Sequence, residues 1–103
     1  MNYSVVVRRI AEAELEQAKA WYNLNSPNLG DAFVTAFEDA AQAIAEGPFR
    51  WQRYHKDVRR YVMNRFPYII YFDLREANGE QTVRILRVVH ASRDPMPIRE
   101  LLP

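Results

Sequence analysis

Six arginines and one histidine carry most of the chemistry that this sequence offers. Arg59, Arg60, Arg65, Arg84, Arg87 and Arg93 interrupt apolar runs between Val58 and Asp94, and His90 closes the last of these runs. A guanidinium offers five donors in a fixed fork, and a strand layer studded with such groups faces an anion or an acidic partner. An imidazole with an unperturbed pKa of about 6.5 serves as acid or base near neutrality. Structural roles stand beside these. His90, at a strand end, can bond neighbouring backbone or Asp94, and Asp94 before Pro95 can turn the chain and bond Arg93 or backbone N–H groups. Metal and nucleotide chemistry has no support. The chain has no cysteine, no paired histidines, no carboxylate cluster on one element, and only Gly30, Gly47 and Gly79 to build a phosphate loop.

These residues need strands to hold them. Tyr68–Arg75 and Thr82–His90 are β-branched and aromatic runs that flank Asn78-Gly79, a dipeptide suited to the positive φ angles of a tight hairpin. A third strand is expected over 58–64. It sends Val58, Arg60 and Val62 one way and Arg59, Tyr61 and Met63 the other, so neither face is purely apolar, as suits an edge strand. At most one of Arg59 and Arg60 therefore serves a common pocket. Arg84 and Arg87 fall at opposite parities. Tyr68 to Leu74, apolar on both faces apart from Asp73, reads as central.

Ahead of these strands the period changes. Residues 3–9 read as a strand. Ala11, Leu15, Ala18 and Tyr22 recur at helical spacing over 11–25, with no capping side chain just before them. Ser26 and Pro27 suit the cap and first position of a second helix. Its stripe is Leu29, Phe33, Ala36, Phe37, Ala40 and Ile44, and Gly47-Pro48 stops it. Phe33, Phe37 and Trp21 or Tyr22 read as core. Phe49 to Asp57 interleaves Arg50, Arg53, His55 and Lys56 with Phe49, Trp51 and Tyr54. That pattern suits a nucleic-acid backbone with stacked bases, or equally a connecting loop stapled by its aromatics. Ile98 to Leu102 reads as a helical turn or an extended tail.

The order predicts an α+β fold, β-α-α-β-β-β, in one domain over 1–103. A helical hairpin lies on one face of a four-stranded, mostly antiparallel sheet. The other face is expected to be open or covered only by the tail, and therefore to meet a partner. Charge points the same way. Residues 10–48 hold seven acids against one base, and 49–103 hold eleven bases against six acids, within a net charge of +1. No apolar run approaches the roughly 20 residues that span a bilayer. In the N-terminal segment the charge follows the apolar residues, the reverse of a signal peptide. A cytoplasmic location is expected, with no membrane partner.

Several strings together resemble the RelE/ParE superfamily of toxins from bacterial type II toxin–antitoxin modules. They are Trp21-Tyr22, Leu29-Gly30-Asp31-Ala32-Phe33, Val58-Arg59-Arg60-Tyr61, Phe66-Pro67-Tyr68-Ile69-Ile70-Tyr71 and the run Ile85 to Pro95. The resemblance implies a cognate antitoxin whose flexible segment wraps the toxin, with operator DNA reached only through that antitoxin. Two mechanisms are implied: ParE-like members poison DNA gyrase by binding it, and RelE-like members cut messenger RNA on the ribosome. Metal-independent RNA cleavage would draw on Arg60, Arg65, His90 and Arg93, as cations around the phosphate and as acid or base. Nuclease members often carry a tyrosine or histidine beside or shortly after the His90 position, and the segment from Ala91 onward has neither. The departure favours the non-catalytic, ParE-like reading, with Arg59, Arg60, Tyr61, Arg84 and Arg87 as partner contacts. A weakly toxic module that mainly binds antitoxin is the remaining alternative.

Overall fold

Apolar residues at helical spacing form the first layer of the structure, a computed structural model that describes residues 3–101. After strand β1 (Ser4–Val7), helix α1 (Arg9–Asn25) buries Ala11, Ala18 and Tyr22, while Trp21 points to solvent. Helix α2 (Leu29–Glu46) buries Phe33, Phe37, Ala40 and Ile44 from the expected stripe. Ser26 does not cap α2; its N–H closes α1 on the Tyr22 carbonyl. The turn runs on through Asn28, at φ 67°, and the cap arrives from the neighbouring helix. The Asn23 side-chain oxygen accepts the Gly30 N–H at 2.7 Å. Gly30 is also where the helices touch, because a Cβ there would collide with the Lys19 carbonyl oxygen.

The sheet has five strands, not four, in the order β1-β5-β4-β3-β2. The added strand is β2 (Gln52–His55), inside the segment whose reading lay between a loop and a nucleic-acid contact. It turns back into β3 (Val58–Val62) through Lys56-Asp57, with Lys56 at φ 48°. Hence β3 is not an edge strand: it lies between β2 and β4. The long hairpin of β4 (Tyr68–Ala77) and β5 (Glu80–His90) turns at Asn78-Gly79, both at positive φ, as the dipeptide predicted. β1 lies parallel to β5, with Ser4 opposite Thr82 and Val7 opposite Ile85.

A bulge resets the parity of β5. Arg87 faces Tyr71 while Ile85 faces Phe72, so Leu86 is the extra residue. Arg84 and Arg87 therefore emerge on the same face, the one away from the helices. On the helix side Phe33, Phe37, Ile70, Phe72, Ile85 and Val88 form one core. The opposite face is not bare. Val58, Ile69, Tyr71, Leu86 and Val89 are covered by Met96, Ile98 and Leu101 of the C-terminal segment, which ends in a short helix, α3 (Ile98–Leu101). That segment is the third layer: of the two expectations for this face, open or covered by the tail, the second holds, and no bare face is left to meet a partner. No helix among the described residues is long and apolar enough to cross a membrane.

Candidate functional site

An open concavity lies on the helix side of the sheet. The helical hairpin sits mainly over β1 and β5. α2 turns Ala32, Ala36 and Ala40 toward β3, four residues apart and too small to fill the space. With Thr35 and Asp39 they form one wall of a hollow of about 460 Å³, and Tyr61, Met63, Asn64 and Arg65 form the other. Trp51 braces Tyr61 edge-on at 4.5 Å between ring centroids. Arg65 lies over the Phe66 ring. On the same side of β3, Arg59 donates to the Trp51 carbonyl at 2.9 Å and stacks on Phe49.

The arginines of the opposite face are engaged within the chain. Arg60 pairs with Asp94 at 2.8 Å, and Asp94 also accepts the Tyr71 hydroxyl proton. Tyr71 in turn accepts the Met96 N–H at 3.2 Å, and Tyr54 donates to the Met96 carbonyl, so the C-terminal segment is fastened at its root. Burial first, and then the Asp94 hydrogen bond, push the Tyr71 hydroxyl well above the ordinary tyrosine value. Arg84 forks onto buried Asp73 at 3.1 and 2.7 Å, with Arg75 at 3.5 Å.

Arg87 is the most enclosed. Beyond Ile85, β5 has no neighbour on its outer edge, because β1 ends at Val7. Glu14 of α1 fills that vacancy: one carboxylate oxygen accepts the Val88 N–H at 2.9 Å, and the other accepts two Arg87 donors at 3.0 and 2.7 Å. The Glu14 hydrogen bonds hold the Arg87 guanidinium above its already high ordinary value, against the opposing effect of burial. Of the expected partner contacts, then, Arg60, Arg84 and Arg87 are held in internal ion pairs. Arg59 and Tyr61 face the open side.

The four nuclease candidates do not converge on one site; His90 and Arg93 come together, apart from Arg60 and Arg65. His90 pairs with Tyr68 on the helix side, whereas Arg60 pairs with Tyr71 on the opposite face. His90 is held through Nδ1, which accepts the Ser92 N–H at 3.0 Å; the bond goes to backbone, not to Asp94. Arg65 lies in the β3–β4 connection. Arg93 is half exposed, 4.0 Å from Glu14 and 3.8 Å from Glu100. His90, Arg93, Tyr68, Trp21 and Glu14 do line a smaller hollow of about 220 Å³. Among the described residues no group of three metal-ligating side chains comes together. The residues that reading the sequence missed are acids, Glu14 and Asp73; Asp94 was expected to bond His90, Arg93 or backbone and instead pairs with Arg60. The small-residue row Ala32, Ala36 and Ala40 was visible in the sequence, and its spacing marks the groove wall.

The model of the ParE toxin of the type II toxin–antitoxin system parDE matches residues 5–95. Among solved structures, a chain of the chromosomal ParDE system from P. aeruginosa superposes with a TM-score of 0.73 at 17% identity, over 85% of this chain and 95% of that one. A chain of the RelBE2 toxin–antitoxin complex from Mycobacterium tuberculosis gives a TM-score of 0.56 at 22% identity, over 87% of this chain and 99% of that one. No curated protein matches the sequence.

Proposed function

The chain belongs to the ParE toxin family of type II toxin–antitoxin systems and is the toxin of such a module, and we propose that it acts by binding DNA gyrase rather than by cutting RNA. The dispersal of the nuclease candidates carries this reading. Cleavage by 2′-OH attack needs a base at the hydroxyl, cations at the phosphate and an acid at the leaving oxygen, all within hydrogen-bond reach. Here Arg60 is bound to Asp94, and His90 lies across the sheet from it. A protein-binding toxin needs none of that convergence.

A cognate antitoxin follows from membership of a toxin–antitoxin family. The bare sheet face no longer supports it, because the C-terminal segment covers that face. The α2–β3 groove takes its place as the antitoxin seat. Its alanine wall and its Tyr61 and Met63 floor suit the apolar side chains of an inserted segment, with Arg59 and Arg65 at hand for acidic ones.

Purified toxin added to a gyrase supercoiling reaction is expected to inhibit it and to leave cleaved DNA. The same toxin added to a ribosome–messenger complex is expected to leave the transcript whole. The small hollow with His90 and Arg93 favours the opposite outcome, and transcript cleavage lost in His90→Ala would establish the nuclease reading instead. Ala36→Trp, which fills the groove, is expected to weaken antitoxin binding without loss of fold. Unchanged affinity would remove the groove from the interface.

A further inference from the structure

The β2–β3 hairpin holds a charge arrangement that extends past the groove: Arg59 borders the groove, but Arg53 and Lys56 are left unused by it and by the gyrase reading. In the antiparallel register Arg53 stands directly opposite Arg59, so both side chains leave the same face of the sheet. Like charges in a cross-strand pair repel, and strands ordinarily avoid them. Neither guanidinium meets a carboxylate: among the described residues the ion pairs of this chain are made by other cations. Lys56 stands at the tip, fixed at positive φ. Asp57 beside it is exposed and makes no ion pair among those residues. The hairpin thus ends the sheet with three cations, none of them in an ion pair among the described residues, against the one carboxylate of Asp57.

We propose that this hairpin, through Arg53, Lys56 and Arg59, binds the phosphate backbone of duplex DNA. An external polyanion relieves the Arg53–Arg59 repulsion, and a two-stranded ribbon at a free sheet edge has the shape that reaches duplex phosphates. Single strands fit less well, because they need bare rings on which bases stack. Trp51 is turned onto Tyr61 and Tyr54 packs against Tyr71 on the other face, which leaves Phe49, exposed with Arg59 over its ring, as a single stacking surface rather than a row. The contacts are to phosphate alone, so binding is independent of sequence. Arg59 is held in place by the Trp51 carbonyl and by Phe49, so little ordering remains to be done on binding.

The test uses the full chain without antitoxin and a labelled duplex of arbitrary sequence, with fluorescence anisotropy read across salt concentrations. Three phosphate contacts give a log–log salt slope of about −2.7, or about a 40-fold loss of affinity between about 50 and 200 mM salt. Arg53→Ala, at an exposed position, is expected to reduce that loss to about 12-fold by removing one contact. Arg59→Lys, which keeps the charge, is expected to keep the slope. Arg99→Ala, exposed on α3 and away from the hairpin, is expected to change nothing. No duplex binding at the lowest salt, a slope indifferent to Arg53→Ala, or tighter binding to the matching single strand overturns the proposal. So does a polyglutamate peptide that binds more tightly than the duplex and depends on Arg53, since that result assigns the hairpin to an acidic protein. Gyrase inhibition is measured separately, and either result stands without the other.

Discussion

Removal of the Glu14 carboxylate should be among the costlier single changes to this fold. Glu14 does two jobs at once: it accepts the otherwise unpaired Val88 N–H on the open edge of β5, and it neutralises Arg87. The side chains of Arg87 and Glu14 are only 7% and 14% exposed, so solvent screens the pair little. Removing one partner of a buried pair costs about 3–5 kcal/mol, because the other charge is left without compensation. Arg87 keeps the Glu100 carbonyl at 3.3 Å and the Glu100 carboxylate at 3.8 Å, which places Glu14→Ala toward the lower end. A loss of about 3 kcal/mol is a large share of the roughly 5–15 kcal/mol that stabilises a domain. For a chain of about 100 residues it lowers the melting midpoint by about 12–24 °C. Glu14→Gln keeps an acceptor for Val88 and should lose about half as much. Urea melts followed by circular dichroism measure all of these, and a cycle with Arg87→Met isolates the pair. The double variant should be less destabilised than the two single costs combined, by at least 1 kcal/mol. A Glu14→Ala protein within 1 kcal/mol of the parent would show that the ion pair and the edge bond contribute nothing net.

Three further outcomes can be measured. Gly30→Ala should destabilise by about 1–3 kcal/mol in spite of alanine's helix propensity, because the new Cβ meets Lys19 backbone that cannot yield; a neutral or stabilising result in a thermal melt contradicts that close approach. Burial raises the hydroxyl pKa of Tyr22, Tyr68 and Tyr71 in the folded state, so their contribution is intact below the unfolded value of about 10 and is lost as pH climbs above it. Urea melts across alkaline pH, with tyrosinate absorbance followed in parallel, should show stability falling in that window and Tyr71→Phe flattening the fall. Saturating antitoxin at about 100 times its Kd should add about 2.7 kcal/mol and raise the melting midpoint, whereas an unmoved midpoint contradicts binding to the folded toxin.

Much of the architecture was legible because it is written in local spacing. The helical stripes, the Asn78-Gly79 turn and the apolar runs of β4 and β5 each declare themselves within a dozen residues. β2 was not legible, since Lys56-Asp57 turns the chain without glycine or asparagine and the strand carries no apolar alternation. The parity of Arg84 and Arg87 was misread because one extra residue, Leu86, shifts it. The fate of the arginines was hidden for a different reason. Their acids come from elsewhere in the chain: Glu14 reaches Arg87 from the first helix, and Asp94 reaches Arg60 from the root of the tail. Spacing along the chain carries no sign of such a meeting. Ala36 and Ala40 were read as part of the packing stripe of α2, although together with Ala32 they line the groove.

The parallel seating of β1 beside β5 sets an order of events during synthesis. Ser4 waits for Thr82, and α1 has no floor until β5 is in place. A nascent chain that stalls in the β4–β5 turn carries an amphipathic hairpin and a lone first strand, with nothing to lie against. Such distant pairings are slow to close, and the intermediates that precede them expose apolar surface. Any harm this protein does therefore begins only after the ribosome has delivered almost all of it, and a companion waiting at the exit would meet the mature shape at its birth.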